Sequence, residues 1–132
     1  MNETIAINNE VHAIVAAYRG RTMARQLGFS VIDQTALSTA IMEVARNISK
    51  YAGTGNIILE MIDENGRPGI RVTAQDCGPG IPDVSLALTD GYSTGHTLGL
   101  GLPGARRLSS AFEIDTSPGN GTTVRLVKWK SA

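Results

Sequence analysis

Glu43 and Asn47 stand four positions apart, a spacing that puts both on one face of a helix. Val44 and Ile48 beside them belong to an apolar stripe, so the pair borders a core, where a pocket wall would run. A carboxamide oxygen there suits Mg²⁺ held beside substrate phosphates. A carboxylate one turn away can orient or deprotonate a hydroxyl nucleophile. The competing reading is a solvated helix face, with Arg46 and Lys50 as ion-pair partners.

Asp76-Cys77-Gly78-Pro79-Gly80-Ile81 follows an apolar run. A carboxylate at a strand end is a fixed acceptor, suited to an exocyclic amine such as adenine N6. Gly78 and Gly80 would let the backbone pass close to a flat ring. An ordinary turn after a strand explains the same residues. Leu98-Gly99-Leu100-Gly101-Leu102-Pro103-Gly104 opens a helix-forming stretch. Unpaired amides at a helix start, made accessible by Gly99 and Gly101, suit phosphates. The spacing is neither that of a P-loop nor that of a dinucleotide fingerprint. Close packing against a neighbour is the alternative. Gly119-Asn120-Gly121-Thr122-Thr123 puts a hydroxyl, Thr122, at a strand start, where it could join Asp76 in a polar network; a plain turn would look alike.

The elements that must carry these residues follow from periodicity. Thr4–Ile7 reads as an edge strand, and Asn8 or Asn9 caps a helix carrying Val11, Ile14, Val15 and Tyr18, with Met23 and Leu27 beyond. Gly28 ends it. Tyr18 is expected in the core. Ser30 with Asp33 forms a capping box, and the helix it opens carries Leu37, Ile41, Val44 and Ile48, ending near Lys50. Asn56–Asp63 and Gly69–Ala74 read as strands around an Asn65-Gly66 turn. The stretch 75–97 is a long functional loop. A helix over 98–109 and strands Glu113–Ser117 and Thr122–Trp129 complete the order. This predicts an α+β two-layer sandwich, with a mixed, mostly antiparallel sheet and helices on one face. One domain, 1–132, is expected.

Composition narrows the class. Hydrophobic residues make up 42% and charged residues 18%, an ordinary globular balance. Of the fifteen glycines, most lie between Gly53 and Gly121. Zero formal net charge speaks against nucleic-acid binding, and no basic run suggests a membrane surface. With no signal-peptide pattern and a single cysteine, Cys77, a cytoplasmic setting is expected. Cys77 is either a small wall residue of the site or an accessible thiol.

In order along the chain, Glu/Asn on a helix, Asp-x-Gly-x-Gly, a long loop, Gly-Leu-Gly-Leu and Gly-Thr resemble the GHKL (Bergerat-fold) ATPases, which include histidine-kinase catalytic domains, gyrase and MutL. The motifs span 43–123. The stretches Glu43–Ile48, Asp90–Thr94 and Gly99–Leu108 further resemble the RsbT-type serine kinases of the bacterial stressosome. That resemblance implies a two-layer sandwich that uses ATP and Mg²⁺. It implies Asn47 as the metal ligand, Glu43 as general base on the acceptor serine, and Asp76 on adenine. Gly78 and Gly80 would shape the adenine pocket, and Gly99, Leu100 and Gly101 the phosphate segment, with Thr122 completing the nucleotide site. The implied substrate is a serine or threonine on a STAS-domain partner of the RsbS/RsbR kind, and a phosphatase of the RsbU kind is a second partner. Anti-sigma factors of the RsbW/SpoIIAB kind share the motifs and stand as the alternative, a binding module with kinase activity. Arg106 and Arg107 could offset phosphate charge or lie on a solvated face. His96 reads as a loop residue.

Overall fold

The computed structural model describes residues 2–78, 102–116 and 119–131. The elements are β1 (Asn2–Ile7), α1 (Glu10–Gln26), α2 (Val31–Tyr51), β2 (Gly55–Glu64), β3 (Arg67–Asp76), α3 (Leu102–Leu108), β4 (Ala111–Thr116) and β5 (Thr122–Trp129). The strands form one sheet in the order β1-β2-β3-β5-β4, with every neighbouring pair antiparallel. The fold is thus α+β, and among the described residues the sheet has no parallel pair.

Local chemistry explains where the elements start and turn. Asn9 caps α1 by accepting from the His12 amide, and Ser30 caps α2 by accepting from the Asp33 amide. Asn65 and Gly66 both take positive φ, 54° and 85°, the pairing that a two-residue hairpin between right-twisted strands requires. Alternation then divides the sheet. Ile57, Leu59, Ile70, Val72, Ala74, Val124 and Leu126 are buried on one face, against Leu37, Ile41, Val44 and Ile48 of α2. The α2 stripe lies where its period places it. The opposite face carries cross-strand pairs such as Arg71 with Glu60, which are 3.0 Å apart.

α1 departs from the sequence expectation. Val11, Ile14, Val15 and Tyr18 are exposed, and Tyr18 is 65% accessible rather than in the core. The buried face is Ala13, Ala16, Ala17, Gly20, Met23 and Ala24. Closeness of approach is the reason. A Cβ on Gly20 would collide with Cδ1 of Ile41, so α1 lies on α2 at a separation that only small side chains permit. Large branched residues would hold the helices apart.

Asp33 fastens the C-terminal end of β5 to the start of α2. Its carboxylate accepts from the Ser131 hydroxyl and lies 3.8 Å from Lys128 Nζ. The Ser131 hydrogen bond holds the carboxyl below its ordinary value of 3.8, with the Lys128 charge assisting and burial opposing. A carboxyl lowered on folding adds stability that is complete above the ordinary value and is lost as pH falls through the lowered one. Asp33→Asn is therefore expected to cost about 1–2 kcal/mol at neutral pH. Urea midpoints measured between neutral and pH ~3 should show the gap to the parent chain closing only below about pH 4.

Candidate functional site

The C-terminal half of α2 and the C-terminal end of β3 meet at one end of the sandwich. Gly55, at the start of β2, lies between them. A Cβ on Gly55 would stand 2.8 Å from Ile48 Cγ2 and 3.2 Å from Asp76 Cβ, and would strike the Gln75 carbonyl. Gly78 is equally tight, since a Cβ there would stand 2.6 Å from the Ala52 Cβ. These glycines let β2 and the chain after β3 approach the last turns of α2.

Asn47 is buried, and its Oδ1 is inaccessible and has no hydrogen-bond partner among the described residues. A buried acceptor without a partner costs about 1–3 kcal/mol, which makes this oxygen a candidate ligand atom. Glu43, one turn earlier, is half-buried. Arg46 and Lys50 are exposed and make no ion pair with it among the described residues. The described residues hold no cluster of three or more His, Cys, Asp or Glu side chains. A divalent ion here would take Asn47 Oδ1 and complete its shell with phosphate oxygens and water, which is Mg²⁺ chemistry.

Asp76 ends β3 on the helix-facing side, paired across the ladder with Thr122. Its Oδ1 accepts from the amides of Gly78, at 2.9 Å, and Thr122, at 3.2 Å. Both bonds fall on one oxygen, so the carboxylate is fixed and Oδ2 is left, among the described residues, without a protein donor. Thr122 is buried, and its hydroxyl lies 2.9 Å from that of Thr116. Thr116 donates to the Gly121 carbonyl at 2.9 Å, which directs the Thr122 proton toward Thr116 and leaves Thr122 Oγ1 an acceptor. Two acceptors on one wall suit an amino-substituted ring.

Sequence reasoning missed Gly55 and Thr116 beside the site and gave Gly121 no steric role within its motif. Gly121, at φ 77°, has a Cβ position 2.9 Å from Cys77 Cα and in collision with the Asp76 carbonyl. Only a residue with no side chain lets β5 pass Asp76 so closely. Gly121→Ala is expected to cost about 1–3 kcal/mol in backbone strain alone. It should lower both the melting temperature and the nucleotide affinity, measured by calorimetry.

Cys77 is exposed, the accessible-thiol reading of its position. It lines a cleft of about 520 Å³ with Gln75, Asn56, Thr54 and Thr123, and the cleft also reaches Asp76. α3 packs on α2 through its buried Leu102, Pro103 and Ala105, while Arg106 and Arg107 are exposed. Of the expected loop 75–97, residues 75 and 76 belong instead to β3, and residues 79–97, with Gly80 and His96, lie outside the described residues, as do Gly99, Leu100, Gly101 and the rest of 98–101 of the expected helix.

Comparison with known proteins agrees with this geometry. The family model described as "Histidine kinase-, DNA gyrase B-, and HSP90-like ATPase" matches residues 32–132. The serine/threonine-protein kinase RsbT of Bacillus subtilis (strain 168) is 42% identical over 125 residues, covering 95% of this chain and 94% of RsbT. Among solved structures, the mycobacterial sensor histidine kinase MprB superposes with a TM-score of 0.59 at 17% identity, covering 98% of both chains. The SiaB-SiaC complex from Pseudomonas aeruginosa gives a TM-score of 0.58 at 12% identity, covering 98% of this chain and 89% of the other. At those identities the two structures speak for the fold. The sheet order, the match over residues 32–132 and the identity to RsbT together establish that the chain belongs to the histidine kinase-, DNA gyrase B- and HSP90-like ATPase family, on its RsbT-type branch.

Proposed function

We propose that this chain transfers the γ-phosphoryl group of ATP to a serine or threonine of a STAS-domain protein of the RsbS/RsbR kind, and that it engages an RsbU-like phosphatase in a bacterial stress-signalling partner switch. Kinship with RsbT makes the chain a protein kinase of the serine/threonine class, and membership of the ATPase family implies ATP. The observation that carries the site assignment is the buried, unpartnered Oδ1 of Asn47 one turn from Glu43.

In this reading residues 1–132 work as one nucleotide-binding domain. Asp76 Oδ2 accepts from adenine N6 while Oδ1 stays tied to Gly78 and Thr122. Gly78 and Gly80 would leave room for the ring, and Thr122 Oγ1 would offer a second acceptor. Gly99, Leu100 and Gly101 would serve the phosphates. Asn47 would hold Mg²⁺, which would offset the triphosphate charge. The carboxylate of Glu43 takes the proton of the acceptor hydroxyl as that oxygen bonds to the γ-phosphorus. The bond from the γ-phosphorus to the β,γ-bridging oxygen breaks, and ADP leaves. Catalysis of this kind is mostly positioning and charge stabilisation.

No helix among the described residues is long and apolar enough to cross a membrane. The test is γ-labelled ATP with the chain, a STAS-domain protein and a sigma factor in parallel. Alkali-labile phosphate on the STAS protein and no retention of the sigma factor are expected. Stable capture of the sigma factor would shift the reading to an anti-sigma module, and label on neither protein would contradict the kinase proposal.

A further inference from the structure

α1 turns its larger apolar residues away from the core. Val11, Ile14, Val15 and Tyr18 are 64%, 59%, 41% and 65% exposed. Their spacing gathers them into one continuous stripe, the pattern of a helix face that packs against another element. The face that packs within the chain is the opposite one, made of Ala13, Ala16, Ala17 and Gly20. A contiguous apolar stripe on a surface helix marks an interaction site.

The charges beside the stripe identify the partner. On a helix advancing about 100° per residue, Glu10 and Arg21 lie on the same flank of the stripe, at its opposite ends. Neither forms an ion pair among the described residues, and both are exposed. An antiparallel pairing of two such helices across a two-fold axis keeps each flank facing its own equivalent. It then sets Val11 of one copy opposite Tyr18 of the other, and Ile14 opposite Val15. Glu10 of each copy comes within reach of Arg21 of the other copy, so the ion pair forms twice. A surface that is complementary to itself in both shape and charge is what an isologous dimer needs.

We propose that α1 is a homodimerisation surface, pairing antiparallel with α1 of a second copy through Val11, Ile14, Val15 and Tyr18, with Glu10–Arg21 ion pairs fixing the register. The interface lies on the outward face of α1, and the proposal stands independently of the nucleotide site. One helix face is small beside the ~800 Å² per partner of a standard interface, so the dimer is expected to depend on concentration.

Sedimentation of the full chain from low micromolar to near-millimolar concentration tests it. A shift from monomer to dimer is expected. Ile14→Glu should weaken association by ~100-fold or more, since it places an unpaired charge in the stripe twice. Glu10→Arg should weaken association by ~10-fold, and adding Arg21→Glu should restore it. All these positions are exposed, so melting temperatures should stay near that of the parent. A monomer at every concentration would overturn the proposal and leave the stripe to a different protein. A dimer indifferent to Ile14→Glu would also overturn it, and failure of the charge swap to restore association would overturn the register.

Discussion

Glu43→Ala is expected to slow phosphoryl transfer by about 10²–10⁴-fold, the range typical of a lost general base. ATP affinity should stay within a few-fold of the parent, because Glu43 is assigned to the acceptor hydroxyl and not to the nucleotide. The separation of effects matters more than the size of the loss. Glu43 is half-buried and carries no ion pair among the described residues, so its removal leaves no partner stranded. Single-turnover transfer and calorimetric ATP binding, measured on the same preparation, separate the two. Unimpaired transfer, or a loss of binding that accounts for the whole defect, would remove Glu43 from the role of base.

Asp76→Asn should do the opposite and damage binding itself, by about 1–3 kcal/mol, or roughly 5- to 150-fold in affinity. The carboxylate accepts on Oδ1 from Gly78 and Thr122, and Oδ2 is assigned to adenine N6. A carboxamide cannot serve both sides. If its oxygen keeps the two backbone amides, its NH₂ faces another donor on adenine. If the oxygen turns to adenine, the NH₂ meets two backbone N–H groups. Transfer per bound nucleotide should change little. An unchanged ATP affinity in this variant would contradict the adenine assignment.

The contrast between the two long helices shows what a sequence makes legible. In α2, Leu37, Ile41, Val44 and Ile48 are both the large apolar residues and the buried ones, so periodicity finds the core face directly. It also places Glu43 and Asn47 at the edge of that face. In α1 the large apolar stripe is the exposed one. Hydrophobic periodicity weighs size, whereas the packing of α1 on α2 is governed by how closely the backbones approach at Gly20. A sequence read for its largest side chains therefore chooses the wrong face.

The same distinction applies at the site. The strand-end position of Asp76 was legible because an apolar run stops there, although an ordinary turn explains the residues that follow. Gly55 and the steric role of Gly121 were hidden because glycine in a turn already has a sufficient local explanation, and the contacts involved depend on strands distant in sequence. Thr116 carries no local signal at all. Its part in orienting the Thr122 hydroxyl exists only once β4 and β5 pair.

Titration of ATP into the chain by calorimetry, with magnesium present and then chelated, tests the central claim most directly. One nucleotide per chain is expected to bind with saturable heat, and affinity should fall on chelation in the parent chain but much less in Asn47→Ala. No heat at millimolar ATP, or an affinity that magnesium and Asn47 leave untouched, would contradict a site built from α2, β3 and β5 around a magnesium nucleotide.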